Sequence, residues 1–312
     1  MKPNDPLSDV LRVLGAKSAR CTRLEATGEW ALAFPAITRL KFVALVRGNC
    51  WIRLPDRPPQ HLVEGDVFLI RSTAYTVASG PNVTPIDGSV LYAQPGSDVV
   101  RLGGDETMMI GGGMVLSDNS AGFVLDALPP FLRIECASPL AATVARMLDL
   151  LQAEVGCGRL GETLVTLRLA ELLMVEAIRA YVADQGASCV GWIGALGDRQ
   201  IGKALHLMHG QVNHPWTVAS LAAEAGMSRS AFSQRFSNRV GRPPMEYLTQ
   251  WRMVRARQRL SENGADVAGV AREVGYTSQS AFGHAFKRVF GHSPRWRGSS
   301  RLQEPPQERN VV

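Results

Sequence analysis

Residues 221–244 read LAAEAGMSRSAFSQRFSNRVGRPP, and residues 270–294 repeat the pattern as VAREVGYTSQSAFGHAFKRVFGHSP. The second copy is one residue longer, and the extra residue falls in its turn. In each copy a glycine can end a short helix, a serine soon after it can cap the next helix, and two phenylalanines lie one helical turn apart. The pattern predicts two helix-turn-helix units on one chain.

Positive charge is concentrated in the part of the chain that carries this repeat. Residues 198–312 contain 17 Lys and Arg against 8 Asp and Glu, whereas residues 1–197 contain 17 against 20. A basic half is typical of a nucleic-acid-binding domain. One copy alone could be an ordinary helical hairpin, but two matched copies on a basic background favour sequence-specific DNA binding.

A single helix is predicted between the two units. Apolar residues recur at helical spacing from Pro244 to Ser261, and arginines occupy much of the remaining surface. A helix of that length spans about 27 Å. We expect it to hold the two recognition helices about 34 Å apart, which is one turn of DNA. A helix from Asp198 to His209 is expected to complete the first unit.

Residues 198–297 resemble the AraC/XylS family of bacterial transcription regulators. The resemblance rests on Leu221-Ala222, Gly226-Met227-Ser228, Ser230-Ala231-Phe232, Phe236, Gly241, Pro244, Val270-Ala271, Gly275-Tyr276, Ser280-Ala281-Phe282, Phe286, Gly291 and Pro294. In that family the first exposed turns of each recognition helix contact bases. The resemblance therefore implies that the base contacts come from Arg229, Ser230, Ser233, Gln234, Gln279, Ser280 and His284.

The chemistry of these candidates suits base recognition to different degrees. Gln234 and Gln279 can pair with adenine edges, and Arg229 can pair with guanine or phosphate. Gly283 offers no side chain, so the second helix is expected to discriminate less between bases. Other cations are candidates for phosphate contacts, with solvated surface charge as the alternative. These are Arg235, Arg239, Lys287, Arg288 and Arg297.

The first 135 residues are predicted to form short β-strands. Strands are expected at Leu40–Val46, Cys50–Leu54, His61–Val63 and Val67–Ile70, with further ones near Thr76-Val77 and Met108–Ile110. Arg47-Gly48-Asn49 and Glu64-Gly65-Asp66 are expected to be hairpin turns. Many short strands predict a small barrel or jelly roll. The segment from Leu40 to Ile70 resembles the cupin-type sensor domain that precedes AraC-type DNA-binding domains.

Cupins often bind a metal on a histidine cluster, but this region contains only His61. We therefore expect no metal, no cofactor and no enzymatic activity, and interpret Glu64 and Asp66 as turn formers. The barrel is predicted to bind a small-molecule effector or to serve as a dimerisation surface. A cupin enzyme fused to a DNA-binding module is the competing hypothesis, and an architectural nucleoid protein is a third.

Five scattered cysteines, without a CxxC pair, argue against a zinc knuckle or a disulfide framework. Cys21 lies beside Arg20 and Arg23, which would lower its thiol pKa, so a thiol-based redox response at Cys21 is an alternative to effector binding. Cys50 is expected in the core. The other interpretation is that all five are ordinary buried residues.

Two apolar helices are predicted after the barrel, at Pro139–Glu154 and Glu162–Ala183. Their wide apolar stripes would pack against the barrel, form a homodimer interface, or both. The fold class is thus an α+β two-domain protein: a cupin-like β-barrel with a helical extension, then an all-α double helix-turn-helix domain. The expected divisions are residues 1–135, 136–184, 185–197 as a glycine-rich linker, 198–298, and 299–312 as a disordered tail.

The expected partners and location follow from these features. Double-stranded DNA is the predicted partner, and the resemblance adds RNA polymerase and a second copy of the chain. No run of about 18 apolar residues and no signal peptide core occurs in the sequence. A cytoplasmic protein without a membrane partner is expected.

Overall fold

The computed structural model describes residues 5–13, 17–36, 40–93, 98–115, 122–123, 126–137, 142–185, 191–262 and 265–294. The tail 299–312, Arg297 and Cys189 lie outside these residues. The described part of the chain forms an N-terminal β-sandwich followed by helices, which confirms the predicted α+β class. No helix in the described ranges is long and apolar enough to cross a membrane.

The strands of the sandwich lie in two facing sheets. They are β1 (Lys17–Ala26), β2 (Ala31–Phe34), β3 (Leu40–Arg47), β4 (Asn49–Arg53), β5 (Gln60–Val63), β6 (Val67–Arg71), β7 (Tyr75–Ala78), β8 (Ile86–Asp87), β9 (Val99–Leu102), β10 (Thr107–Val115) and β11 (Phe131–Ile134). The six-stranded sheet has the order β11-β6-β3-β10-β1-β9, and the five-stranded sheet has the order β5-β4-β7-β2-β8. Two facing sheets of this kind make a jelly-roll type of sandwich.

The predicted strands β3 to β7 and β10 are present, but the two predicted hairpins are wrong. β3 pairs with β6 in one sheet, and β4 pairs with β5 in the other. The turns at Gly48 and Gly65 therefore carry the chain from one sheet to the other, and the true reversal lies at residues 54–59. Gly48 has φ +78°, and a Cβ there would overlap the carbonyl of Glu106, so this corner requires glycine.

The helices, numbered along the chain, are α1 (Pro6–Val13), α2 (Gly88–Leu91), α3 (Ala142–Glu154), α4 (Glu162–Gln185), α5 (Trp192–Ala195), α6 (Arg199–Gly210), α7 (Val218–Glu224), α8 (Arg229–Val240), α9 (Pro244–Ser261), α10 (Val267–Glu273) and α11 (Gln279–Phe290). Both helices predicted after the barrel, and the helix predicted between the two repeats, are present. Residues 138–141, at the predicted start of α3, lie outside the described ranges.

One core runs from the sandwich into the first helix-turn-helix unit. Residues of the large sheet's outer face, such as Phe42 and Ile110, cluster with α3 and α4, and the same cluster continues into α6, α8 and α9. Helix α1 packs on α6 and α9. Within the segment predicted to be a linker, Trp192 and Ile193 in α5 are buried. The sandwich is thus joined to the first unit by packed side chains as well as by the chain itself.

Candidate nucleic-acid interface and interior cavity

Local capping explains why the first repeat folds as a helix-turn-helix. Thr217 and Ser220 form a reciprocal capping box at the start of α7. Gly226, with φ +66°, makes the turn, and the Ser228 hydroxyl accepts a hydrogen bond from the Ala231 amide to begin α8. Gly241, with φ +83°, ends α8 in the left-handed conformation. The first repeat therefore folds as its spacing predicts.

The second repeat uses the same devices at equivalent places. The Asp266 carboxylate caps α10, and the Ser278 hydroxyl accepts from the Ala281 amide at the start of α11. Gly291, with φ +79°, ends α11. At Gly275 a Cβ would lie 2.9 Å from the Asn213 carbonyl oxygen, so the second turn approaches the first unit closely. The two units are therefore similar in build and packed together.

The inward phenylalanines determine which face of each recognition helix is exposed. Phe232 and Phe236 are buried in α8, and Phe282 and Phe286 are buried in α11. The opposite faces carry most of the predicted base-contact residues. Arg229, Ser230, Gln234, Gln279, Ser280 and His284 are exposed, whereas Ser233 is half-buried.

One exposed residue on this face was not among the predicted contacts. Asn238 follows Gln234 by one helical turn and is exposed. Its equivalent in α11 is Arg288, which is also exposed. The i, i+4 spacing from Gln234 is the signal that would have identified it. Each recognition helix thus presents at least two polar turns to solvent.

The predicted phosphate contacts fall into two groups. Lys287 and Arg288 are exposed on α11. Arg235 instead contacts Asp198, with nitrogens 2.9 and 3.0 Å from Oδ2, and donates to Gln200 Oε1 at 2.8 Å. Arg239 lies 3.8 Å from the same carboxylate and is partly buried.

Asp198 ties the start of α6 to α8. Its carboxylate accepts from the Gln200 and Ile201 amides and pairs with Arg235. Although burial acts to raise it, the pKa of Asp198 is lowered by these amides and by the Arg235 guanidinium. The carboxylate therefore stays charged, and Arg235 is a link within the protein in this conformation.

Helix α9 holds the two units in a fixed relation. Tyr247, Leu248 and Trp251 face the core of the first unit, while Met253 and Ala256 face a separate core formed with α10 and α11. One helix contributes to both cores, so neither unit can rotate without breaking packed contacts. This is the geometry expected of a rigid spacer.

The arginine Arg252 of α9 reinforces this connection. Its guanidinium donates to the Val212 and His214 carbonyls at 2.8 and 2.7 Å and lies 5.9 Å from the ring centre of Tyr276. The carbonyls belong to the first unit and the ring to the second. Arg252 thus bridges the two units directly.

An aromatic cluster joins the sandwich to the first unit. The ring of Phe123 lies 5.5 to 5.6 Å from the rings of Trp192, Tyr247 and Trp251. Trp192 Nε1 donates to the Phe123 carbonyl at 2.9 Å. His209 stacks on Trp251 at 4.3 Å, and its Nε2 lies 2.7 Å from the Tyr247 hydroxyl. We call these five residues the junction cluster.

The junction histidine is kept neutral by its surroundings. Burial, with smaller effects of His206 and Arg255, lowers the pKa of His209 to about 3. The composition of the sequence gave no sign of this cluster, because its members come from four separate segments. Within it, Phe123 contacts Tyr247 and Trp251 of α9.

A cavity of about 270 Å³ lies between the two sheets of the sandwich. It is lined by strands β1, β2, β3, β7 and β10 and by the α2 region, and its walls are mainly apolar. Its volume is just below the range of about 300–1,000 Å³ that is typical of ligand pockets, so the space can hold only a small molecule.

The predicted lowering of the Cys21 pKa is wrong. Cys21 is buried on the outer face of the large sheet, and burial raises its thiol pKa to about 12. The neighbouring cations point elsewhere, because Arg20 pairs with Asp98 and Arg23 with Glu25. Cys50 is buried as expected, with its pKa also raised to about 12 by burial.

Two further cysteines depart from the expectation that all are buried, since Cys136 and Cys157 are exposed. His61 is exposed and lies against Trp51, with ring centres 5.1 Å apart. Asp66 is fully buried and pairs with Arg133 at 2.6 Å, so it does more than form a turn. The described residues contain no group of three or more His, Cys, Asp or Glu arranged to hold a metal ion.

Comparison with known proteins gives relatives across nearly the whole chain. Residues 5–183 match a cupin family, and residues 221–296 match a helix-turn-helix domain family. A Streptomyces lividans protein named as an AraC-like transcription regulator is 37% identical, covering 93% of this chain and 96% of its own length. A Streptomyces antibioticus protein of the same description is 36% identical, covering 93% and 97%.

Two solved structures are similar to parts or most of this chain. The DNA-binding domain of AdpA, in complex with a target DNA, is 30% identical and covers 31% of this chain and 86% of that one, with a TM-score of 0.30. ToxT from Vibrio cholerae is 11% identical and covers 89% of this chain and 95% of that one, with a TM-score of 0.34.

Proposed function

The chain belongs to the AraC family of DNA-binding transcription regulators, with a cupin-like N-terminal domain, and from this premise we propose that α8 and α11 read two successive segments of one major groove. The observation that supports this is the shared helix α9, which belongs to both unit cores. Its 18 residues span about 27 Å, close to one turn of DNA once the recognition helices are added.

Base reading is assigned to the exposed polar residues of the two helices. Gln234 and His284 occupy equivalent positions, and each projects from the second turn of its helix. Arg229 and Gln279 are equivalent to one another at the first helical residue. The half-buried Ser233 and the glycine at position 283 leave less hydrogen-bonding capacity at the intervening position. Lys287 and Arg288, which are exposed on α11, supply phosphate contacts.

Arg235 is proposed to exchange partners when DNA binds. Its guanidinium is exposed on one side, so a phosphate could compete with Asp198 for it. In the absence of DNA the same ion pair keeps α6 and α8 in register. Arg239, which is partly buried near Asp198, contributes mainly to that arrangement.

The N-terminal domain is proposed to control DNA binding through a small effector in the interior cavity. The junction cluster supports this, since Phe123, which lies between β10 and β11 in the chain, contacts Tyr247 and Trp251 of the spacer helix. A movement of Phe123 would change the packing of α9, the helix that joins the two units. The protein acts without enzymatic turnover, in the cytoplasm, and meets RNA polymerase at the promoters it activates or represses.

A homodimer is the proposed assembly. Helix α4 carries exposed apolar side chains at Leu164, Val165 and Leu172, and Leu150 of α3 is also exposed. Such a patch, on helices whose other faces pack on the sandwich, is suited to a second copy of the chain. We also propose that the segments of the chain end at residues 135, 184, 197 and 298, which separates the sensor domain, the helical segment, the linker, the DNA-binding domain and the tail.

The proposed reading is tested by selection from randomised DNA duplexes, with full-length protein at one fixed near-physiological salt concentration. Two enriched sequence blocks about one helical turn apart are expected. Tight but salt-sensitive binding without any enriched sequence would contradict the proposal and indicate general DNA association instead.

A further inference from the structure

The two helix-turn-helix units touch each other beside α9. The loop between α6 and α7 belongs to the first unit, and the turn between α10 and α11 belongs to the second. Arg252 of α9 contacts both segments. We call the residues of this junction between the units the inter-unit contact: Val212, Asn213, His214, Arg252, Gly275 and Tyr276.

Two hydrogen bonds hold Arg252 to the loop of the first unit. Its Nε donates to the Val212 carbonyl at 2.8 Å, and its Nη2 donates to the His214 carbonyl at 2.7 Å. A guanidinium presents its N–H groups in one fixed plane, so two such bonds fix the direction of the side chain. The loop is itself anchored, because Trp216 is buried in the first-unit core and its Nε1 donates to the Gln211 carbonyl at 3.1 Å. Arg252 is therefore attached to a well-packed part of the first unit.

The other partner of Arg252 is an aromatic ring of the second unit. The guanidinium lies over the ring of Tyr276, 5.9 Å from its centre, and a cation in this position is attracted to the ring. The Tyr276 ring packs edge-on against Phe282, with ring centres 5.7 Å apart. Phe282 is a fully buried residue of the recognition helix α11. Contacts between side chains thus lead from Arg252 to the inner face of α11.

Glycine at position 275 lets the two segments approach each other. Gly275 has φ +84°, and a Cβ there would lie 2.9 Å from the Asn213 carbonyl oxygen and from Arg252 Nη2. The equivalent glycine of the first unit, Gly226, has φ +66°, but a Cβ there would meet no atom within 4 Å. Both turns require a positive φ, which favours glycine. Only the second turn also requires the space, because it lies against the other unit.

The inter-unit contact gives the second unit a further point of attachment. Met253 and Ala256 of α9 pack in the core formed with α10 and α11, so this core attaches the second unit along a single helix. Attachment along one line opposes sliding more than it opposes tilting about that line. The contact of Gly275 with Asn213 lies beside α9 and opposes the tilt, which would change the distance between α8 and α11.

We propose that Arg252 is a positioning residue that determines which spacing between two DNA blocks the protein accepts. By holding the second unit against the first, it keeps α11 at one distance and one angle from α8. The inference rests on the proposed reading of two blocks by these helices, and it adds the residue that determines their accepted spacing. Arg252 acts through carbonyls and a ring of the protein itself.

The test compares two dissociation constants, measured with full-length protein at one salt concentration. The first is the Kd for the selected duplex with one base pair inserted between its two blocks, and the second is the Kd for the selected duplex itself. One added base pair displaces a block by about 3.4 Å along the duplex and by about 35° around it.

The unsubstituted protein should give a ratio of these constants of at least about ten, which corresponds to the loss of about one base contact. Arg252→Met should lower the ratio to below about three, because a second unit that can tilt follows the displaced block and keeps that contact. The ratio does not depend on the fraction of folded protein, since both titrations use the same sample. A loss of stability alone therefore leaves it unchanged.

Each variant has a matched control. Arg259→Met removes the same charge from the same helix, but Arg259 pairs with Glu273 of α10 at 2.9 Å and with Glu262, so its partners lie outside the first unit. This control should keep the ratio of the unsubstituted protein. Gly275→Ala disturbs the inter-unit contact from its other side and should lower the ratio. Gly226→Ala introduces the backbone strain without the overlap and should not.

The possible outcomes separate this inference from the proposed reading of DNA. A ratio lowered in Arg252→Met and Gly275→Ala, but not in their controls, is the expected result. An unchanged ratio in Arg252→Met, or an equal fall in both arginine variants, would overturn the positioning role and leave the reading of two blocks in place. A selection that yields no sequence with two blocks would overturn the proposed reading, and the positioning role with it.

Discussion

Replacing Phe123 with alanine should loosen the sandwich from the first helix-turn-helix unit. The ring is 5% exposed and lies 5.5 to 5.6 Å from three aromatic rings of the junction cluster. Phe→Ala at a buried site costs about 3–5 kcal/mol. If about 3 kcal/mol of this is lost from the junction, the equilibrium between open and closed junction shifts by roughly a hundredfold.

Hydrogen exchange followed by mass spectrometry measures that opening. Amides of residues 191–197 should exchange up to about a hundredfold faster in Phe123→Ala, because α5 packs against the lost ring. Phe131→Ala is the matched control: Phe131 is 8% exposed but belongs to the core between the two sheets. It should lower the unfolding midpoint without this local change. Equal exchange of residues 191–197 in both variants would refute the coupling role of the junction cluster.

Further predictions concern DNA reading, pH and assembly. Gln234→Ala should relax base preference at one position of the selected sequence, at a cost of about 1–3 kcal/mol in binding free energy. Lys287→Ala should instead weaken binding to all sequences alike. An unchanged base preference in a selection with Gln234→Ala would argue against a base contact by Gln234. Because the pKa of His209 falls from its ordinary 6.5 to about 3 on folding, the unfolded state gains a proton first as pH falls, so stability is lost below about pH 6.5. Relative to His209→Gln, the free energy of unfolding should drop by about 1.4 kcal/mol between about pH 7.5 and 5.5, and parallel denaturation profiles would exclude this. Leu172→Glu should shift the protein toward monomer in sedimentation velocity by at least about tenfold in Kd, whereas Val90→Glu, at an apolar residue 65% exposed elsewhere, should not; an unchanged dimer would place the interface elsewhere.

The helix-turn-helix units could be predicted from sequence because their signals are local. Gly226, Ser228 and Gly241 act within a few residues of their own position, through a positive φ or a cap hydrogen bond. The second copy repeats these signals at Ser278 and Gly291. Because these local signals occur twice, both units and the helix between them could be predicted from the sequence.

Strand pairing in the sandwich could not be predicted in the same way. The turn at Gly48 has the composition of a hairpin, yet it leads from one sheet to the other, because pairing depends on residues distant in sequence. Strand β1 went unrecognised because its residues, Lys17–Ala26, mix charged side chains into both faces. The cavity depends on the register of Gly111 and Gly113 against two other strands, which only the fold supplies.

Charges near a candidate residue were also an unreliable guide to its chemistry. Arg20 and Arg23 flank Cys21 in sequence but pair with Asp98 and Glu25, and burial of the thiol raises its pKa. Arg235 lies 37 residues from Asp198, and no local pattern indicates that ion pair. The direction of a side chain, and the partner it meets, decided both outcomes.

The central claim is that α9 fixes two recognition helices one turn of DNA apart. Its most direct test measures affinity for the selected duplex after inserting about five base pairs, half a helical turn, between the two blocks. A substituted spacer of unchanged length is the control. The account predicts roughly a hundredfold or greater loss of affinity for the insertion and little change for the control. Equal affinity for the inserted and original duplexes would contradict a rigid spacer between two reading helices.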